Sequence, residues 1–160
     1  MVRWSRTVGM ARRFSLCLCS DCRIAAHVDS VVIKDGKFEF VADTVEMKVI
    51  RIDYHYRDGV QDLLVVSEPG DIKVTIGANS ISGGTPQNDS LQVWKDQIMK
   101  FNSAYNQLRM QARQEGSDQL LMTKGKEIQN QLKEYNIAFL KRQPVGVFKN
   151  FLQTMYPSAK

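Results

Sequence analysis

The apolar positions repeat with a period of two between Val28 and about Gly84, and with a period near 3.6 from Thr85 onward. In the first stretch V-D-S-V-V-I-K-D-G-K-F-E-F-V holds two strand-like runs. Asp35-Gly36 lies between them, a hairpin signal because a type I′ turn needs positive φ at its central residues. Phe38 and Phe40 fall on one face of the second run, Lys37 and Glu39 on the other. M-K-V-I-R-I-D-Y-H-Y places Ile50, Ile52, Tyr54 and Tyr56 together, and Asp58-Gly59 predicts a second hairpin turn. V-Q-D-L-L-V-V-S reads as a more central strand, rich in β-branched residues. In Glu68-Pro69-Gly70-Asp71 the proline fixes φ and the glycine supplies positive φ, which is a turn. Ile72, Val74 and Ile76 then alternate inward, and Asn79 to Gly84 is a short strand or loop. These runs predict an antiparallel meander of about five strands.

At Thr85 the period changes. Pro86 and the polar set Asn88, Asp89 and Ser90 predict a helix start, with one of the three as N-cap. Leu91, Trp94, Ile98, Phe101, Tyr105, Leu108 and Ala112 form one apolar stripe at alternating spacings of three and four. Glu115-Gly116-Ser117-Asp118 breaks it. A second helix follows with Leu121, Ile128, Leu132, Tyr135 and Phe139 on one side, weakened locally by Gly125. Two such helices read as a hairpin. After Pro144 a short helix carries Val147, Phe148, Phe151 and Leu152. The expected fold class is α+β: an antiparallel β-domain over 28–84, then a helical extension over 85–156.

Charge and cysteine usage set off the first residues. The net charge is +5, yet residues 1–28 hold five arginines and one acid, Asp21, leaving seventeen bases and sixteen acids elsewhere. The body is therefore close to neutral in total, with no basic stripe to suggest nucleic acid as a partner. All three cysteines, Cys17, Cys19 and Cys22, lie in L-C-L-C-S-D-C-R. The segment 1–27 reads as an Arg/Cys-rich leader outside the fold. Its six-residue apolar stretch Phe14–Cys19 is short for an export signal, and an N-terminal anchor is the one route to a membrane it offers.

Candidate chemistry is sparse. Cys19 and Cys22 make a C-x-x-C, and with Cys17 and His27 they could form a cramped Cys₃His zinc set or a redox centre. His55, between Tyr54 and Tyr56, reads as a solvated strand residue. Gly83-Gly84 reads as a turn before a helix rather than a phosphate loop, and Glu68 and Asp71 as turn residues. No cofactor and no catalytic set is expected in the body. The apolar helix stripe is a packing face or a surface for self-association.

Three segments taken together carry a resemblance: D-S-V-V-I-K-D-G-K-F-E-F, S-E-P-G-D-I-K-V-T-I, and S-I-S-G-G-T-P-Q-N-D-S-L-Q-V-W. The chain from about Asp29 to Tyr156 resembles the domain of unknown function found ahead of a thioredoxin-like domain in envelope thiol–disulfide oxidoreductases of Gram-negative bacteria. The structural-motif residues of the body are Asp35, Gly36, Asp58, Gly59, Glu68, Pro69, Gly70, Gly84, Thr85, Asn88 and Asp89, and all but the hairpin pair Asp58 and Gly59 lie in these three segments. The resemblance implies an exported, often lipid-anchored accessory domain whose protein partner, a thioredoxin-like domain, holds the redox chemistry. It also implies a truncated family member, with residues 1–27 standing where further strands are expected.

Overall fold

A computed structural model of the chain describes residues 2–7, 17–18, 31, 33, 36–42, 44–51 and 59–157. The element order is β1 (Val2–Thr7), β2 (Cys17–Leu18), β3 (Lys37–Phe38), β4 (Val41–Ala42), β5 (Met47–Arg51), β6 (Leu63–Val66), β7 (Gly70–Thr75), β8 (Ile81–Gly83), α1 (Pro86–Glu115), α2 (Asp118–Arg142) and α3 (Val147–Met155). The class is α+β, small sheets followed by helices. The chain divides into two compact units, Met1–Gln92 and Val93–Lys160.

In the first unit one sheet has the order β3-β1-β7-β8 with β4 also on β1, and the other has the order β2-β5-β6. β5–β6 and β7–β8 are the sequential antiparallel pairs of the expected meander, in registers such as Met47↔Val66 and Val74↔Ser82. Two features depart from it. β1 runs parallel to β7, with Trp4 opposite Ile72. And β3 pairs with β1, Arg6 opposite Phe38. Val31 and Ile33 lie outside strands, yet Ile33 is buried in the core. The segment 1–27, expected as a leader outside the fold, thus supplies β1 and β2. β1 covers an edge of β7 that would otherwise present unpaired backbone groups.

The core of this unit is Ile33, Phe38, Ala42, Ile50, Leu63, Val65, Ile72, Val74 and Ile76, with Val31, Phe40 and Val60 against it. Ile72, Val74 and Ile76 point inward and Lys73 outward, as the alternation requires. Phe38 is buried and Phe40 half-buried, while Lys37 and Glu39 are exposed.

In the second unit α1 ends at Gly116, whose φ of 62° lets the Ser117 N–H reach the Ala112 carbonyl at 3.0 Å, a Schellman closure. Ser117 then caps α2 by accepting from the Leu120 N–H. Gly125 is buried, and a Cβ there would sit 3.2 Å from Tyr105. The glycine that weakens α2 as an isolated helix is the point where the two helices approach closely. Trp94, Phe148, Phe139, Tyr135 and Phe101 form a chain of ring contacts with centroids 5.6–6.2 Å apart, and Tyr156 joins at Trp94. The stripe residues Trp94, Phe101, Tyr105 and Leu108 are thereby engaged within the chain. Among the described residues no helix is long and apolar enough to cross a membrane.

Candidate functional site

The Glu-Pro-Gly turn and the Gly-Thr-x-x-Asn-Asp segment meet in the first unit. α1 begins at Pro86, so Thr85 occupies the cap position, and none of Asn88, Asp89 or Ser90 does. The reason is local. Proline at the first helical position lacks the N–H that would go unpaired there, and its φ is already helical. The Thr85 carbonyl accepts the first intrahelical bond, from the Asp89 N–H at 2.8 Å.

That start leaves backbone donors unmatched, and Glu68 supplies the acceptor. Its Oε1 accepts from the N–H groups of Gln87 (2.8 Å) and Asn88 (3.3 Å), and its Oε2 from Gln87 Nε2 (3.0 Å). Glu68 is only 7% exposed. A carboxylate so buried is costly unless paired, and here the donors and the positive end of the helix dipole compensate it. Glu68 was expected as a turn residue. It belongs to the turn by position and to the helix by its hydrogen bonds, a long-range role that spacing does not reveal.

Asn88 does the converse. Fully buried, it aims its side-chain amide at β6. The Val66 N–H donates to Asn88 Oδ1 (2.9 Å) and Asn88 Nδ2 donates to the Val66 carbonyl (2.7 Å). The amide therefore pairs with Val66 as one residue of a neighbouring strand would. Its second N–H donates to Thr85 Oγ1 at 2.8 Å. Each half of the amide is used, which fixes its orientation. Asp89 reaches back, its Oδ1 accepting from the Gly84 N–H at 2.8 Å.

Two glycines permit this approach. Gly84 has φ 94°, and a Cβ there would lie 2.7 Å from the Asp71 carbonyl oxygen. Gly70 has φ 125°, and its Cβ would meet Thr85 Cγ2 at 2.9 Å. Both conformations are strained for L side chains. At Gly83 a Cβ would meet the Asp89 carboxylate at 2.9 Å. An acidic group beside the Gly-Gly pair fits a turn and opposes a phosphate.

Glu68, Pro69, Gly70, Gly84, Thr85, Asn88 and Asp89 thus come together as one clasp. Gly36 and Gly59 have the positive φ expected of their turns, 69° and 73°, and stand apart from it. Cys19, Cys22, His27, Asp35, His55 and Asp58 lie outside the described residues, and Cys17 is described as a backbone position of β2. Among the described residues no group of three or more His, Cys, Asp and Glu could hold a metal ion.

Two buried serines escaped the sequence reading. Ser67 accepts from the Glu46 N–H (3.1 Å) and donates toward the Thr44 carbonyl. Ser80 donates to the Gln61 carbonyl (2.6 Å) and accepts from the Gly77 N–H (3.1 Å). A serine at the end of an apolar run was the one available signal, shared with any loop.

Residues 20–91 match the family model of a domain of unknown function (DUF4369). The matched stretch starts ahead of Asp29 and contains the whole clasp, and α2 and α3 lie beyond it. No curated protein and no solved structure matches the chain.

The second unit offers a shallower feature, a cleft of about 490 Å³ between α1 and α2, lined by residues that include Lys100, Tyr135, Phe139 and Arg142. Burial pushes the Tyr135 phenol above its ordinary value, and the Arg142 guanidinium partly offsets this. Deeper in, Trp94 Nε1 donates to Asn136 Oδ1 at 2.8 Å. Burial raises Tyr156 in the same way, with the Asn136 side chain working against it.

Proposed function

We propose that the chain acts as a non-catalytic accessory domain of a cell-envelope thiol–disulfide oxidoreductase system, engaging a thioredoxin-like protein partner that carries the redox chemistry. The supporting observation is how the clasp uses its groups. Within the clasp, Glu68, Gly84, Thr85, Asn88 and Asp89 spend their donors and acceptors on one another and on Val66 and Gln87. Glu68 neutralises a helix start and Asn88 completes a strand edge. Buried polar groups matched this fully hold backbone in place and leave little capacity for a substrate. In this reading the domain presents a shaped surface, and the cysteine chemistry belongs to the partner.

The test is to purify the chain and the thioredoxin-like domains of the same cell envelope, and to measure binding by calorimetry and insulin-disulfide reduction in parallel. The expected result is saturable binding to one such domain, with no insulin reduction by the chain alone. Insulin reduction by the chain alone, abolished in a Cys19→Ser or Cys22→Ser variant, overturns the proposal in favour of a redox centre. So does absence of binding to every domain tried.

A further inference from the structure

The near-neutral total after residue 28 conceals two opposite halves. Residues 29–92 carry six Lys or Arg against eleven Asp or Glu, whereas residues 93–160 carry eleven against five. Within the second unit the cations gather on one side of the helical hairpin. α1 and α2 run antiparallel with Tyr105 on Gly125, and Val93, Gln97 and Lys100 share a cleft with Tyr135, Phe139 and Arg142. These contacts fix which flanks lie together. At about 3.6 residues per turn, Arg109 and Arg113 of α1 then fall on the flank opposite that cleft, beside Lys126 and Lys133 of α2.

All four side chains are exposed. The ion pairs found among the described residues, Lys48–Glu46 and Arg51–Asp62, involve none of them. Arg109 and Arg113 are one turn apart, where like charges repel. The acid nearest the row is Asp118, in the first turn of α2 at the loop end, and Glu127 and Glu134 project from the outer side. From the loop to Lys133 the row runs about 24 Å. Met122 lies within it, 76% exposed.

We propose that this flank docks the protein on an anionic phospholipid surface. Two helices side by side present a broad face rather than a single ridge that could enter a nucleic-acid groove. Long Lys and Arg stems reach headgroup phosphates while a methionine between them meets the acyl boundary. None of the unit's described aromatic rings is exposed to stack on bases. Each cation near an anionic bilayer contributes roughly fivefold to partitioning. The interaction is separate from any N-terminal anchor and does not depend on the redox reading.

The experiment is co-sedimentation of the full chain with vesicles of phosphatidylglycerol and phosphatidylcholine, and with vesicles of phosphatidylcholine alone, at low and high salt. The expected result is salt-sensitive binding to the anionic vesicles only. Lys126→Gln with Lys133→Gln should weaken it tenfold or more, in line with roughly fivefold per cation. Lys100→Gln with Lys124→Gln removes the same charge from the opposite flank and should leave binding nearly unchanged. Circular dichroism checks that both variants keep their helices. Equal loss in the two variants, equal binding to neutral vesicles, or binding to duplex DNA with none to vesicles each overturns the proposal.

Discussion

The two units solve the problem of a buried interior in different ways. In the first, a clasp of matched polar groups sits beside an aliphatic core: Glu68, Asn88, Ser67 and Ser80 are all buried. In the second, six aromatic rings touch in sequence, and the amide of Asn136 is the one buried polar side chain found among its described residues. Hydrogen bonds are directional and expensive to leave half-made, whereas ring packing tolerates small shifts. Shape-conserving substitutions should therefore be punished in the clasp and forgiven in the ring cluster.

The largest expected effect comes from Asn88→Leu. It keeps the branched shape but strands the Val66 N–H and carbonyl without partners, at a cost of roughly 3 kcal/mol or more. Hydrogen exchange should accelerate at Val66 and in the first turn of α1, with the α2 amides unaffected. Next is Glu68→Gln, which puts an NH₂ where an acceptor is needed and removes the charge facing the helix start. About 2 kcal/mol is expected, read from the denaturant midpoint of the first unit. By contrast Phe148→Leu, at a position 1% exposed, should cost only about 1–1.5 kcal/mol, because the rings around it can close in. A loss from Phe148→Leu that exceeds the loss from Asn88→Leu would erase the distinction between the units.

The smallest effect is one of pH. Burial raises the Tyr156 phenol above 10.0 in the folded chain, so the fold prefers the neutral form. The unfolded chain releases that proton first. The stabilisation is therefore fully present below pH 10.0 and is lost as pH rises from there through the folded value. Lys95 has the opposite sign. Burial lowers it from 10.5, so the unfolded chain holds more protons just below that pH and stability rises toward it. The Tyr156→Phe variant separates the two: its melting temperature should fall less than that of the parent chain between neutral pH and the strongly alkaline range. Parallel curves would contradict the assignment.

Much of this contrast is legible in the amino-acid order, and the limits are physical. Period and turn chemistry are local properties. The turns at Gly36 and Gly59, the inward set Ile72, Val74 and Ile76, and the break at Gly116 all follow from residues close by in the chain. The stripe from Trp94 to Leu108 was also visible, although its partners on α2 and α3 are not implied by the stripe itself. What local reasoning misses is pairing at a distance. β1 lies parallel to β7, which follows it by more than sixty residues of sequence, and no periodicity encodes that choice. Glu68 caps a helix that begins far along the chain, and Asn88 reads as a cap because caps and strand-completing amides use the same residue type. The order of the motifs, Glu-Pro-Gly and then Gly-Thr-x-x-Asn-Asp, held the clue. In this chain the second segment's backbone donors are met by Glu68 of the first, and its Asn88 amide binds Val66 just ahead of that turn.

The Asn88 amide has a consequence for how the protein behaves in a crowded solution. L-L-V-V (63–66) is uncharged and rich in β-branched residues, the composition that nucleates fibrils when an edge is open to a second strand. At Val66 the backbone groups that would template such growth are already taken by a side chain of the same molecule. One carboxamide thus serves as a stopper against polymerisation. Its removal should show first as turbidity in concentrated samples kept well below their melting temperature.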